Sequence, residues 1–269
     1  MGDTPLLSVV QARLWHVSRE RWLRRVVARR KHSSTTGFFD AYPRFFSTSV
    51  TSATPNRLNQ RHRALIQANT DHLLGRRVLD LASHDGRWSF AAQRAGAEHV
   101  LGVKARQHLV EAARRNLREY RVPETRVEFL QGDVMVELDR LDNRHFDTVL
   151  CFGFFYHIID HMLLLRKIAR LKPTNLLIDT NVSRQPGSVI EVDDELVENE
   201  RAAAFGDPGN PLRAIRGKPS RAALEMMLKA VGFSVVRYWD WLNAGIGQWD
   251  DLGDYYLGER VSLTAVSAV

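Results

Sequence analysis

Three short stretches of this 269-residue chain carry side chains able to do chemistry. Phe152-Gly153-Phe154-Phe155-Tyr156-His157 ends in a histidine, a side chain that takes and returns a proton near neutral pH. Asp179-Thr180-Asn181 offers carboxylate, hydroxyl and amide oxygens in a row, suited to an acceptor's hydroxyl groups or to a hard divalent cation such as magnesium. Val78-Leu79-Asp80-Leu81-Ala82-Ser83-His84-Asp85-Gly86 runs from an apolar stretch into a small, polar loop. A strand, a tight loop and then a helix is the layout in which a doubly wound sheet binds an adenosine ligand. The loop is irregular. Where a D-x-G-x-G-x-G pattern has glycines, Ala82 and His84 fill the first two positions and Gly86 alone remains. Ala82, Ser83 and Gly86 are small enough to admit a ligand close to the backbone. His84 is not, unless its ring turns away or hydrogen-bonds an anionic group of the ligand.

These residues act together only if the surrounding elements bring them to one edge. From residue 77 onward strand and helix signals alternate, with strands expected at 77–82, 98–104, 126–131, 146–152 and 174–181 and helices at 86–96, 107–120, 134–140 and 160–171. That alternation predicts a parallel sheet covered on both faces. Upstream, 57–74 reads as a helix with Leu58, Leu65, Ile66 and Leu73 on its apolar side. Residues 32–56 read as a loop or mobile cover with aromatic anchors Phe38, Phe39, Tyr42, Phe45 and Phe46. Residues 184–218 break the rhythm and read either as an insertion at the substrate mouth or as a solvated loop with a surface helix. Ser220 is placed to cap a helix that runs to Ala230 and stops at Gly232. Strands are expected at 233–239 and from Val261 to Val266.

Hydrophobic content of 44% is enough for a real core, and no apolar run reaches the roughly 18–20 residues that cross a bilayer. Cys151 is the only cysteine, so no internal disulfide forms, which suits a cytoplasmic protein. The net charge of +7 is uneven: residues 1–64 hold twelve Lys/Arg against three Asp/Glu. The arginine-rich segment 10–31 has Leu14, Val17, Trp22, Val26 and Val27 at helical spacing. It reads as an amphipathic helix packing on the domain or on a second copy in a homodimer, as a polyanion-binding arm, or as a targeting peptide, against which Asp3 and Glu20 count.

Four places taken in order resemble the class I S-adenosylmethionine-dependent methyltransferases, over residues 57 to 267. They are Val78 to Gly86, His99-Val100-Leu101-Gly102-Val103-Lys104, Phe129-Leu130-Gln131-Gly132-Asp133-Val134, and Phe146-Asp147-Thr148-Val149-Leu150-Cys151-Phe152-Gly153. The resemblance implies a Rossmann-like, doubly wound α/β sheet of seven strands in the order 3-2-1-4-5-7-6, strand 7 antiparallel, with an N-terminal helical extension. The corresponding division is an extension over 1–56 and a cofactor-binding domain over 57–269. It implies S-adenosylmethionine as cofactor. Asp80, Ala82, Ser83, His84 and Gly86 would shape the methionyl pocket, and Asp133 would accept from the adenine amino group beside a backbone donor at Val134. Phe152 would lie against the ligand. Arg57, Asn59 and Arg61 precede the core on a helix, where an arginine such as Arg61 would meet the ligand's carboxylate, with exposed charge as the alternative reading. Asp133 as a helix N-cap is the plainer alternative. Lys104 departs from the family, which places an acid there to hold both ribose hydroxyls; a lysine only donates.

The same resemblance puts His157 at the carboxyl edge as the base, with a helix-capping or satisfied core histidine as the alternative reading. Tyr156, Asp179, Thr180 and Asn181 become acceptor-binding residues, and magnesium an optional second cofactor with no spacing that singles out its site. No Asn/Asp-Pro-Pro-Tyr/Phe follows the fourth strand, which argues against base amino groups as acceptors, and Cys151 inside a strand argues against thiolate-assisted C5 methylation. The first functional reading is a small-molecule O-methyltransferase. The loop 81–89 and residues 56–62 are similar to sugar O-methyltransferases of methylmannose polysaccharide assembly, which makes a saccharide (mannoside) hydroxyl the expected acceptor. The alternative is RNA: Phe146 to His157 also resembles the tRNA wobble-uridine carboxymethyl-transferring enzymes, with their Gly-x-x-Tyr-His. A third reading, suggested by Lys104, is a non-catalytic cofactor-binding protein.

Overall fold

The computed structural model describes residues 37–51 and 54–268. The segment 10–31, with its homodimer, polyanion-arm and targeting readings, lies outside the described residues. Short runs of Val, Leu and Phe bounded by turn residues form the strands β1 (Arg77–Leu81), β2 (His99–Lys104), β3 (Val127–Gln131), β4 (Thr148–Phe152), β5 (Asn175–Asn181), β6 (Ile190–Leu196), β7 (Arg213–Pro219), β8 (Phe233–Tyr238) and β9 (Arg260–Ser267). Seven of them make one sheet in the order β3-β2-β1-β4-β5-β9-β8. β9 runs antiparallel to both β5 and β8, while the other neighbours pair in parallel. This is the expected order, with β9 as the reversed seventh strand and β6-β7 inserted as a separate hairpin.

Longer stretches with apolar residues at helical spacing form α1 (Pro55–Leu65), α2 (Arg87–Arg94), α3 (Gln107–Glu119), α4 (Val134–Arg140), α5 (His161–Arg170) and α6 (Arg221–Ala230). The two-residue period of the strands divides their side chains between two cores. Val78 packs with Leu58 of α1, Trp88 and Phe90 of α2 and Val110 of α3. Leu79 and Leu81 pack with Leu138 of α4, Leu164 of α5 and Leu224 of α6. Pro55 at the first turn and Thr54, whose side chain accepts from Arg57 N, start α1. The helix stops short of 74 because Asn69 donates to the carbonyls of Ala64 and Leu65.

Two expectations need correction. The segment 32–56 is not a loose cover where it is described. Phe39 and Phe45 are fully buried, Phe39 meets Trp88 edge-on at 5.7 Å, and residues 38–47 share the core of α1 and α2. The insertion 184–218 holds no surface helix. It is the exposed hairpin β6-β7, pinned at its root by a Ser183–Ser220 bridge and by Ser220 N donating to Val189 O.

The loop after β1 keeps the backbone that its missing glycines would have taken. Ala82 and His84 sit at φ 55° and Gly86 at φ 82°, all in the left-handed region. A Cβ on Gly86 would come within 2.8 Å of Phe129 Cζ and 3.0 Å of Ala113 Cβ. Gly86→Ala should therefore lower the unfolding free energy by about 1–3 kcal/mol, read from urea melts. Asp80 faces α2, where Ser89 Oγ donates to its Oδ2 at 2.6 Å. Burial raises its carboxyl to about 7 despite the bonds from Ser89. A raised folded pKa means that the folded chain holds this proton more tightly. The stability it contributes is full below about pH 4 and is lost as pH rises through about 7. Asp80→Asn should flatten that fall, measured by urea melts across this range.

Candidate active site

A cavity of about 390 Å³ opens over the carboxyl ends of β1, β2 and β4. Its two halves come from different parts of the chain. One wall holds Ala82, His84, Lys104, Asp133 and Val134; the other holds Gly153, Tyr156 and His157; residues 200–205 of the inserted hairpin cross the mouth. Phe152 and Trp88 meet edge-on at 5.9 Å and form apolar wall between them.

The first wall is fixed by an ion pair. Asp85 is fully buried and takes Arg87 Nε at 2.7 Å and Nη2 at 2.9 Å, together with Thr48 Oγ1 at 2.6 Å. Burial alone would raise the Asp85 carboxyl, but Arg87 and His84 hold it well below the usual range. His84 is lowered by burial and by Arg87, so its ring is neutral near pH 7. Its Nδ1 lies 3.1 Å from Arg87 Nη2. Asp85 Oδ1 lies 3.2 Å from the same nitrogen, so Nδ1 sits between a donor and an acceptor. The other ring nitrogen, Nε2, is buried without a protein partner in a side chain that lines the cavity. Lys104 is brought down to about 8 by burial, with Arg106 adding to the effect. Asp133 caps α4, its Oδ1 accepting from Met135 N at 2.7 Å, and also lines the cavity.

The structure tests this wall against an adenosyl sulfonium. An orphan ring nitrogen at His84 suits a polar end, Asp133 and Val134 line the same cavity, and Phe152 and Trp88 supply apolar surface. Lys104 offers donors where the family offers acceptors. The residues fit the ligand at both ends, with a different contact in the middle. Ser83, Asp80 and Gly86 do not line the cavity. Ser83 is buried with no partner for Oγ, Asp80 is held by Ser89, and Gly86 opens α2, so the three act on the loop's shape.

Below the second wall lies a buried polar cluster around Asp179. Its carboxylate accepts from Arg61 Nη2 at 2.9 Å, Arg260 Nε at 2.7 Å, Tyr255 Oη at 2.7 Å and Ser262 Oγ at 2.7 Å. Burial would raise it, but Arg260 and Arg61 hold it well below the usual carboxylate range. With every lone pair engaged, Asp179 is spent on structure and does not reach the cavity. Thr180 is fully buried and turned to Asn181 O, and Asn181 accepts from Arg260 Nη1. The expected acceptor-binding role of 179–181 is thus corrected: these residues anchor arginines. Arg61 reaches the cavity already paired to Asp179 and stacked over Trp88 at 5.0 Å.

His157 stacks on Tyr156 at 4.1 Å, and its Nδ1 lies 2.7 Å from Glu195 Oε1 on β6. His161 is a core residue whose Nε2 lies 3.1 Å from the carbonyls of Phe155 and Gly217, while its Nδ1 is buried without a partner. Cys151 is buried in β4, and burial pushes its thiol up to about 12, so it offers no thiolate near neutral pH. Among the described residues no three His, Cys, Asp or Glu side chains converge as a metal site requires, which leaves the magnesium expectation without support. Nor, among them, is any helix long and apolar enough to cross a membrane. The aromatics at 38–46 do not line the cavity. Sequence reading missed Arg260 and Glu195. Glu195 had a local signal in the alternation of Ile190, Val192, Asp194 and Leu196 with Glu191, Asp193 and Glu195, a strand pattern carrying acids on one face.

The family model of a methyltransferase domain matches residues 78–173. The tRNA U34 carboxymethyltransferase of Pseudomonas syringae pv. tomato is 30% identical over 197 residues, covering 68% of this chain and 56% of the relative. That of Pseudomonas aeruginosa is 32% identical over 173 residues, covering 61% of this chain and 47% of the relative. The chain thus spans about half the length of the curated relatives it matches. Among solved structures, the N-terminal domain of EvdMO1 with SAH bound aligns at a TM-score of 0.54 and 20% identity, covering 77% of this chain and 79% of that one. Magnesium protoporphyrin IX methyltransferase (ChlM) from Synechocystis PCC 6803 aligns at 0.52 and 16%, covering 85% and 90%. These likenesses share the fold. The matched domain, the strand order and the cavity at the sheet's carboxyl edge agree, and residues 78–173 carry a methyltransferase domain in the fold of the class I S-adenosylmethionine-dependent enzymes.

Proposed function

We propose that this chain transfers an alkyl group, methyl or carboxymethyl, from an adenosyl sulfonium to an oxygen of a uridine in RNA, with His157 as the base. The observation that carries this reading is the single cavity in which Tyr156 and His157 face the wall built by Ala82, His84, Lys104 and Asp133. The relatives named for tRNA U34 carboxymethyl transfer support the uridine acceptor, and so does the arginine-rich stretch Arg19 to Lys31, suited to RNA phosphates. Against a saccharide acceptor, the aromatics 38–46 and the oxygens of 179–181, suited to a sugar, do not line the cavity.

When bound, the sulfonium supplies an electrophilic carbon whose bond to sulfur breaks, with the electron pair left on sulfur. The chain's residues do the rest. The open Nε2 of His84 meets a polar end of the ligand, Asp133 and Val134 read a purine edge, and Lys104 donates toward the ribose. Arg57, Arg61 and Arg260 line one corner of the cavity, held by Asp254 and Asp179. Guanidinium groups there favour a transferred group that carries a carboxylate, and Arg260 lies 5.6 Å from the Tyr156 ring centroid. Holding acceptor and donor in line is the larger part of the work, and His157 takes the acceptor's proton.

Transfer is measured with labelled S-adenosylmethionine, and with its analogue bearing a carboxylate on the transferable carbon, against tRNA and oligosaccharide pools. Label in tRNA is expected; label in the oligosaccharides alone would reject the RNA acceptor. His157→Ala should leave S-adenosylhomocysteine affinity by calorimetry unchanged and lower turnover by about 10²–10⁴-fold. Unchanged turnover would remove the base, and absence of binding at millimolar ligand would remove the enzyme reading. Affinity for tRNA should fall steeply with salt, by at least about tenfold between 50 and 200 mM, in a filter-binding titration. A flat titration would count against phosphate recognition.

A further inference from the structure

Glu195 is almost wholly buried and lies on β6, in an insertion that the family's four motifs do not reach. Its Oε1 accepts from His157 Nδ1 at 2.7 Å and from Ala203 N at 2.6 Å, and its Oε2 accepts from Arg216 Nη1 at 2.9 Å. Arg216, on β7, also holds Asp193 with both arms of its guanidinium. Burial alone would raise the Glu195 carboxyl, but the His157 bond and its other partners hold it below the usual range, so it is ionised. An ionised carboxylate only accepts. The proton of a neutral His157 ring therefore sits on Nδ1, and Nε2 is left basic on a side chain that lines the cavity.

We infer that Glu195 is a positioning residue, by which the inserted hairpin fixes the tautomer and orientation of His157 and neutralises the ring once it is protonated. This rests on the reading of His157 as the base. In the step, the acceptor O–H bond breaks, its proton goes to Nε2, and the ring becomes a cation beside the Glu195 anion. The logic is that of a carboxylate behind a catalytic imidazole. Ala203 borders the cavity, so the same carboxylate also ties the mouth segment to the base. The other charged or titratable groups around the ring are Arg216 behind Glu195, Tyr156 stacked on it, Arg260 beyond Tyr156, and Asp160 on the same cavity wall.

The test compares wild type, Glu195→Gln, Glu195→Asp and His157→Ala. Glu195→Gln should lower kcat by about 10- to 100-fold with S-adenosylhomocysteine affinity unchanged. It should also move the acid limb of the kcat profile to lower pH by about one unit, because the charge favouring the protonated ring is gone. Glu195→Asp should return the limb toward wild type. Imidazole ¹⁵N shifts read the tautomer in the unmodified chain, independently of how the variants fold: Nδ1–H is expected. An Nε2–H ring in wild type, or an unmoved limb in a folded Glu195→Gln variant, would overturn the inference. If His157→Ala keeps full turnover while the Nδ1–H tautomer is seen, the base reading has failed and the pairing stands.

Discussion

The carboxylate of Asp179 is the constraint on which much of this molecule depends. A charge buried at the end of a central strand is tolerated only when donors surround it. The four that do so come from α1, from the turn over Tyr255, and from two positions on β9. Each donor belongs to an element that could otherwise slide. The requirement to meet one carboxylate therefore fixes how the entry helix and the reversed final strand dock on the parallel sheet. Removing one partner of such a buried charge typically costs about 3–5 kcal/mol. Arg61 and Arg260 also reach the cavity, so the same charge sets the floor on which ligands would rest.

A second, smaller lock does for the opposite wall what Asp179 does for the floor. Asp85 and Arg87 are two residues apart and paired through two hydrogen bonds. Their pairing leaves His84 with one ring nitrogen engaged and the other open. The loop thereby obtains an imidazole nitrogen where a glycine-rich version would offer only backbone. Lys104 belongs to the same pattern. In both places a nitrogen-bearing side chain stands where the motif alone implies another contact.

Most of the fold was legible because its signals are local. The helix over 134–140 and the seven sheet strands follow from apolar runs, two-residue alternation and the turn residues between them. The hairpin β6-β7 was not read, because the acidic, exposed β6 resembles a solvated loop in composition even though it alternates. In the site, His84, Lys104, Asp133, Val134, Phe152, Arg61, Tyr156 and His157 were named from sequence and do line one cavity. Asp179, Thr180 and Asn181 were not placed correctly. The end of a strand says which edge a residue occupies but not whether its side chain is already spoken for. Arg260 and Glu195 stand 81 residues from Asp179 and 38 from His157. No pattern within one element pairs them, and the fold alone does.

The root of the inserted hairpin has a consequence for how such a molecule can change. Ser183 and Ser220 are bridged, so the chain leaves the sheet after β5 and returns to α6 at almost the same point. Everything between them can grow, shrink or be rewritten without moving the register of β5 against β9. The donor wall is drawn from residues 82–134 and meets the insertion where Arg106 Nη2 donates to the carbonyls of Val197, Asn199 and Ala203. The chain is thus organised as a fixed frame with a faceplate free in length but tied at two places: what the molecule grips can drift only as far as Glu195 keeps His157 and the 197–203 carbonyls keep Arg106.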